Sequence, residues 1–412
     1  ENSRGERETV AYIRERLEEL DISYTSSSLG SYPRFHSFST TIEARIEGER
    51  PDTLFFVFPL NHPPGARVHK SYAAGLAVGL SLLEELSERT PPVSVHVVFM
   101  GAEKGRDPGY NLGSRAFLRS FPRVEHSAIV YTDFADLPSG VTVQPAGTGR
   151  VSPAWMVRRM HEALFSSGTQ YRLDNNRFQI YRLGLNDTPT PIDPYLDAGL
   201  PAVYLTREET PSPGAHPLPF TDILGFYTGF IESFGEGIPE QWDSHYQFFQ
   251  IDEHLLLMNE IYYVILILLI LSATLAYPFL RPKSFIKYGR SILRHIAVIP
   301  ILFAFMLLYL YISTLLLEGI MSYRGVSTLW RIRPILFLLL KVITAGFLFS
   351  VSQHLLRIAH LSRFRGSFYS ASALVFLLID IMLLTYVDIS LSLYGVWIFF
   401  LPFFFRSPEA GG

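Results

Sequence analysis

Hydrophobic and polar residues follow two different rhythms along this chain. Near the start, Val10, Ile13, Leu17 and Leu20 recur at helical intervals with charge on the remaining face, which predicts an amphipathic first helix. After a run rich in Ser, Gly and Pro at 26–38 come strand-like segments: TTIEARIEG at 40–48, LFFVFPL at 54–60 and VSVHVVFM at 93–100. A strong helical pattern at 71–89 separates the last two. SAIVYTDF at 127–134 and LPAVYLT at 200–206 read as further short buried strands, with a helix over 153–166 between them. This alternation predicts an α/β domain whose mainly parallel sheet is sandwiched by helices.

Beyond residue 258 the rhythm gives way to long apolar runs at 261–280, 296–317, 334–355 and 369–387, each near the ~20 residues that a membrane-crossing helix needs. A shorter fifth run at 391–405 ends at Arg406. The chain therefore divides into a soluble domain at 1–245, an aromatic-rich connector at 246–258 expected at a membrane interface, and an all-α transmembrane bundle of about five helices at 259–406.

Charge divides at the same place. Residues 1–257 hold 33 Asp/Glu and 22 Lys/Arg, and the remainder of the totals, 5 and 13, lies beyond them. The loop after the first apolar run carries Arg281, Lys283, Lys287, Arg290 and Arg294, and the loop after the third carries Arg357, Arg363 and Arg365. The second has only Arg324, Arg331 and Arg333. By the positive-inside rule the first and third loops are cytoplasmic, which predicts an extracytoplasmic N-terminal domain and a cytoplasmic C-terminus. Because the chain opens at Glu1 without an apolar leader, an export signal is expected ahead of it. No basic stripe or nucleic-acid motif is present in the soluble half, so nucleic acid is not an expected partner.

Within the apolar runs, Lys341 and Asp380 fall at matched depths if their helices are antiparallel. Intramembrane charges are costly and face protein, where they mark a helix contact, a ligand site or an ion path. A pair that holds two helices or a partner subunit together is the reading favoured here; Lys341 could also extend its ammonium toward the interface.

Cysteine is absent, so chemistry must come from oxygen and imidazole groups. Gly147-Thr148-Gly149 is too short for a phosphate loop, no Gly-x-Ser-x-Gly elbow occurs, and Asn186-Asp187-Thr188 is a formal glycosylation sequon. The most telling stretch is the strand VVFM at 97–100, which runs into Gly101-Ala102-Glu103-Lys104 and then a Gly113-Ser114-Arg115-Ala116-Phe117 helix start. It resembles the segment of the di-zinc aminopeptidase family that carries the catalytic base and a zinc ligand as Gly-Ala-Glu-Glu.

The resemblance extends over about residues 8–235 and implies a zinc-exopeptidase-like fold. It matches Glu103 to the general base, Asp133 to the aspartate at the end of the next strand and His216 to a late loop histidine. Where the family has a His-x-Asp after the strand LFFVFPL, Leu60 and His62 stand. The family's metal-bridging aspartate aligns with Ser71, and Lys104 replaces the ligand beside the base. An ammonium has no lone pair for a cation. Each zinc would keep a single protein ligand where three or four are needed, so neither a metal nor another cofactor is expected.

A degenerate peptidase-like domain followed by several spans looks like the peptidase-like subunit of GPI transamidase and, more distantly, nicastrin of γ-secretase. That implies a non-catalytic pseudopeptidase that positions a substrate or partner in a membrane complex. Its expected partners are other membrane subunits, a peptide or protein in the old cleft, and the lipid bilayer. Two alternatives stand beside it: a membrane-anchored metallo-aminopeptidase with a site rebuilt from His62, His69, Glu103, Asp133 or His216, and a transporter or channel component built around Lys341 and Asp380. If the site is degenerate, Lys104 is expected to neutralise the remnant acids Glu103 and Asp133 in an internally paired polar cluster, with Glu103 ion-paired to a nearby Lys or Arg at the strand end and His216 bonded to backbone.

Overall fold

In the computed structural model the described residues are 3–29, 39–61, 73–104, 111–120, 126–134, 136–174, 178–184, 189–207, 216–251, 254–280, 298–324 and 334–358, with isolated positions between 282 and 293 and helical pieces between 376 and 386. The chain forms two compact units, Glu1–Leu257 and Met258–Gly412.

The first unit begins with α1 (Arg4–Glu19), capped by the Ser3 hydroxyl, which accepts from the Glu6 N–H at 3.1 Å. Strands β1 (Tyr24–Leu29), β2 (Ser39–Ile46) and β3 (Arg50–Pro59) follow, then α2 (Ala73–Ser87), β4 (Val93–Met100), α3 (Leu112–Ser120) and β5 (Ser127–Asp133). Next are β6 (Val141–Gln144), the two-residue strands β7 (Ala146–Gly147) and β8 (Arg150–Val151), α4 (Ala154–Ser166) and β9 (Tyr171–Leu173). The short helices α5 (Phe178–Arg182) and α6 (Asp193–Asp197), strand β10 (Ala202–Arg207), helix α7 (Phe220–Glu232) and a hairpin of β11 (Tyr246–Ile251) and β12 (His254–Asn259) complete the series.

Eight strands form one sheet in the order β1-β2-β4-β3-β5-β10-β6-β9. The central four, β4-β3-β5-β10, are mutually parallel. β1, β2 and β6 join antiparallel, and β9 runs parallel to β6. The parallel expectation thus describes the centre of the sheet, while its margins are mixed, as is common where a large sheet no longer needs a helix over every crossover.

β3 shows why both faces are covered. Leu54, Phe56 and Phe58 point to one side, against α1, α2, α4 and α7; Phe55 and Val57 point to the other, where Phe117 and Leu118 of α3 and Tyr195 and Leu196 of α6 meet them. All five β3 side chains are at most 2% exposed. Burial of each such side chain stabilises the fold by about 1.5–3 kcal/mol, so a run apolar at every position is what a central, two-sided strand requires.

The aromatic connector differs from its expected role. Tyr246 and Phe248 are buried in the core of the first unit, with the Phe178 ring 5.2 and 4.8 Å from theirs. Strand alternation puts these aromatics inward, and the compact unit extends past 245 to Leu257.

The second unit contains α8 (Glu260–Leu280), α9 (Val298–Tyr323) and α10 (Pro334–Ile358). Ile270 of α8 is buried against Ile381 of the helical piece 379–386. Tyr309 of α9 meets Phe349 of α10 edge to face at 6.2 Å. Among the described residues one helix, α9, is long and apolar enough to cross a membrane, and a shorter apolar stretch covers Leu336–Ser352. The 26 residues of α9 span roughly 39 Å at 1.5 Å each. The expected fifth span at 391–405 lies outside the described residues.

Candidate functional site

In open parallel sheets ligands sit beyond the carboxyl ends of the strands, near the point where successive connections depart in opposite directions. Here that point falls between β3 and β5, because the chain leaves β3 toward β4 on one side and β5 lies on the other. The polar residues just past these strand ends are Asn61, Glu103, Lys104 and Asp133.

Asn61 fixes the loop after β4. Its side-chain oxygen accepts from the N–H groups of Glu103 (2.8 Å) and Lys104 (3.2 Å), and its amide donates to the Lys104 carbonyl (2.8 Å). The loop is tight: Ala102 adopts φ 55°, in the left-handed region. It also admits α3 at very short range. A Cβ on Gly113 would lie 2.0 Å from the Gly101 carbonyl oxygen and 2.8 Å from Glu103 Oε1, so glycine is required there.

That approach delivers Ser114 to Glu103. The Ser114 N–H donates to Oε1 at 2.5 Å and its hydroxyl to Oε2 at 2.9 Å, while the Tyr131 hydroxyl donates to Oε2 at 3.1 Å. Tyr195 Oη lies 2.7 Å from the Ser114 hydroxyl and extends the network. Glu103 is 1% exposed. Burial pushes its carboxyl above the usual range, against the opposing pull of the Ser114 backbone and hydroxyl, the Tyr131 hydroxyl and, last, the Lys104 charge. Burial also pushes the hydroxyls of Tyr131 and Tyr195 well up, with the Glu103 charge acting in the same direction.

Lys104 pairs with a different carboxylate. Its ammonium forms an ion pair with Asp133 Oδ2, which also accepts from the Tyr204 hydroxyl at 3.0 Å. The two charged side chains are only 17% and 9% exposed. Lys104 Nζ also stands 6.0 Å from the Tyr131 ring centroid. The expected pairing of Lys104 with both acids is thus met at Asp133 and corrected at Glu103, which hydroxyl and backbone donors satisfy instead.

Among the described residues the donor set does not fit zinc. Both Glu103 oxygens accept protein hydrogen bonds, Asp133 Oδ2 holds an ammonium, and Leu60 is a buried hydrocarbon. Among the described residues no group of three His, Asp or Glu side chains is arranged to hold a metal ion. His216 is exposed, and no backbone bond of its ring occurs among the described residues. His62, His69 and Ser71 lie outside the described residues, as does the sequon at 186–188.

Sequence reasoning passed over Asn61, Tyr131, Tyr195 and Tyr204. The usable signal was position: Asn61 lies just past the end of β3, Tyr131 and Tyr204 are paired polar side chains within the buried strands β5 and β10, and Tyr195 is on the short helix α6. Gly147-Thr148-Gly149 proves to serve an internal anion. Asp193 accepts from the Thr148 N–H and hydroxyl at 2.8 and 2.9 Å and from the Thr190 N–H and hydroxyl at 2.9 and 2.5 Å. In the second unit Lys341 is partly buried and Asp380 exposed, and no ion pair joins them among the described residues.

Comparison with known proteins gives the following. The model of the first domain of the TP_0564 family matches residues 78–258, and that of its second domain matches residues 296–408. No curated protein matches the sequence significantly. Solved structures with a similar arrangement include a glutaminyl cyclase of Fimbriiglobus ruber (14% identity, 56% of this chain and 88% of that one, TM-score 0.45). A leucine aminopeptidase precursor of Bacteroides thetaiotaomicron (10%, 56% and 90%, TM-score 0.40) and a zinc-dependent exopeptidase of Parabacteroides distasonis (11%, 56% and 90%, TM-score 0.35) are two others.

Proposed function

We propose that this chain is a non-catalytic membrane subunit, a pseudopeptidase whose first unit binds or positions a protein partner or substrate outside the cytoplasm. The observation that carries this reading is the Lys104–Asp133 ion pair, flanked by a Glu103 whose two oxygens are both engaged. A general base must be free to take a proton, and a metal ligand must present a lone pair. Here the corresponding groups stabilise the scaffold. Membrane attachment is supported by α9 and by the apolar runs on either side of it, and sidedness by the eight basic residues of the two loops read as cytoplasmic. Other membrane subunits are the partners this architecture would serve.

Elemental analysis of the full chain purified in detergent without chelators, combined with assays on aminoacyl and N-terminal glutaminyl peptides, tests the reading. Substoichiometric zinc and no turnover are expected. One or more tightly bound zinc ions per chain, released by Glu103→Ala or Asp133→Ala, would establish the metallopeptidase alternative instead.

A further inference from the structure

At the other end of the sheet, beyond the amino ends of β5 and β10, lies a cavity of about 390 Å³. The seven residues of β5 separate it from Asp133 by roughly 20 Å. It is therefore a different site from the Glu103 and Lys104 cluster, and its occupancy does not depend on how that cluster is read.

Its walls combine hydrocarbon, two indoles and a carboxylate. Trp155 of α4 and Trp242 of the segment between α7 and β11 supply the rings, Leu200 and Pro239 the aliphatic surface, and Glu240 the charge. Trp155 is fixed: its indole N–H donates to the Gln241 carbonyl at 3.1 Å, and its ring meets Phe234 edge to face at 6.0 Å. Trp242 is 38% exposed, so part of its ring is open to a ligand. His126 on the rim adopts φ 66°, a left-handed conformation uncommon for a residue with a side chain, and its Nε2 lies 3.6 Å from Glu240.

The segment that forms one wall of the cavity is acidic. Segment 233–245 contributes Glu236, Glu240 and Asp243 and no Lys or Arg, within a unit that holds 33 acidic and 22 basic residues. One guanidinium borders the wall and is already engaged: Arg159 lies 4.3 Å from the Phe234 ring centroid and 5.9 Å from that of Trp155, and it donates to the Gly237 carbonyl at 3.3 Å. Exposed indole beside exposed carboxylate, on apolar walls, is the chemistry that recognises an organic cation. A side chain with an aliphatic stem and a cationic head suits both parts, the stem against Leu200 and Pro239 and the head between Trp242 and Glu240.

We infer that this groove is a docking site for a basic segment of a partner protein, which inserts an arginine or lysine side chain between Trp242 and Glu240. An extended peptide is the natural form, since one side chain enters a cavity of this size while the neighbours follow the acidic rim.

The test is titration of the full chain in maltoside detergent with a tetra-arginine peptide, read by tryptophan fluorescence and by calorimetry, with tetra-glutamate as the counterpart. Saturable binding of tetra-arginine alone is expected. Trp242→Phe and Glu240→Gln should each weaken it about two- to five-fold, and the loss should shrink as salt rises. Two substitutions at exposed positions leave folding intact, and far-UV circular dichroism of each variant verifies it. Equal binding of the two peptides, binding unaffected by both variants, or no saturable binding would overturn the proposal. So would preferential, Trp242-dependent binding to phosphatidylcholine vesicles, which would assign the indole and carboxylate to a lipid headgroup.

Discussion

Replacing Lys104 by methionine isolates the contribution of one ammonium to this fold. Methionine keeps most of the aliphatic volume and removes the charge, so the change acts mainly on Asp133. That carboxylate is 9% exposed and would keep the Tyr204 hydroxyl as its donor at 3.0 Å while losing its counter-ion. Breaking a buried pair by removing one partner typically costs about 3–5 kcal/mol, because the other charge is left uncompensated. The surviving Tyr204 bond argues for the lower end, about 3 kcal/mol. In a unit of this size 1 kcal/mol shifts the melting temperature by about 2–4 °C, so a drop of about 6–12 °C is expected for the transition of the first unit. Near-ultraviolet circular dichroism follows that transition, because the tyrosines around the site report its packing. Adding Asp133→Asn should restore most of the loss, since asparagine is neutral and still accepts from Tyr204. The double-mutant cycle should therefore show a coupling of about 2 kcal/mol or more. An unchanged transition in Lys104→Met, or losses that simply add in the double variant, would refute the claim that this ion pair holds the strand ends together.

Two further changes probe the same network. Gly113→Ala should destabilise the first unit by about 1–3 kcal/mol in denaturant titration, because the new methyl group meets the backbone carbonyl of Gly101, which cannot rotate away as a side chain could. The pH dependence of stability should carry a signature of Glu103. Its carboxyl is raised in the folded state, so the native protein binds the proton more tightly than the unfolded chain; this contribution is fully present at pH below the ordinary glutamate range and is lost as pH rises through the folded value. Glu103→Gln should remove that segment of the stability–pH curve, and identical slopes in variant and wild type across the mildly acidic range would contradict the burial argument.

How far these features are legible in sequence depends on whether the determining pattern is local. LFFVFPL announces a two-sided central strand because every position is apolar, and the helix at 71–89 is plain from its periodicity. The mixed margins of the sheet were not visible: β1, rich in serine, has the composition of a loop, and it becomes a strand only because β2 offers a hydrogen-bonding edge. YQFFQI looked like membrane-interface sequence for a related reason. Aromatic residues suit both a lipid boundary and a core, and only the tertiary position of Phe178 decides between them.

The site shows the same division. Lys104 beside Glu103 was enough to expect that an acid–metal arrangement had become something else, since the charge conflict is between adjacent residues. The pair also led to the expectation that Lys104 neutralises both Glu103 and Asp133, and among the described residues the ion pair forms at Asp133 alone. Neighbours in sequence near a strand end point apart, so Glu103 turns to Ser114 and Tyr131 while Lys104 turns to Asp133, 29 residues on. The ammonium neutralises Asp133 at the strand ends, where the carboxylate is only 9% exposed. The groove at Trp242 and Glu240 lies at the opposite end of β5 from that ion pair, so the two can be probed by separate substitutions without shared partners.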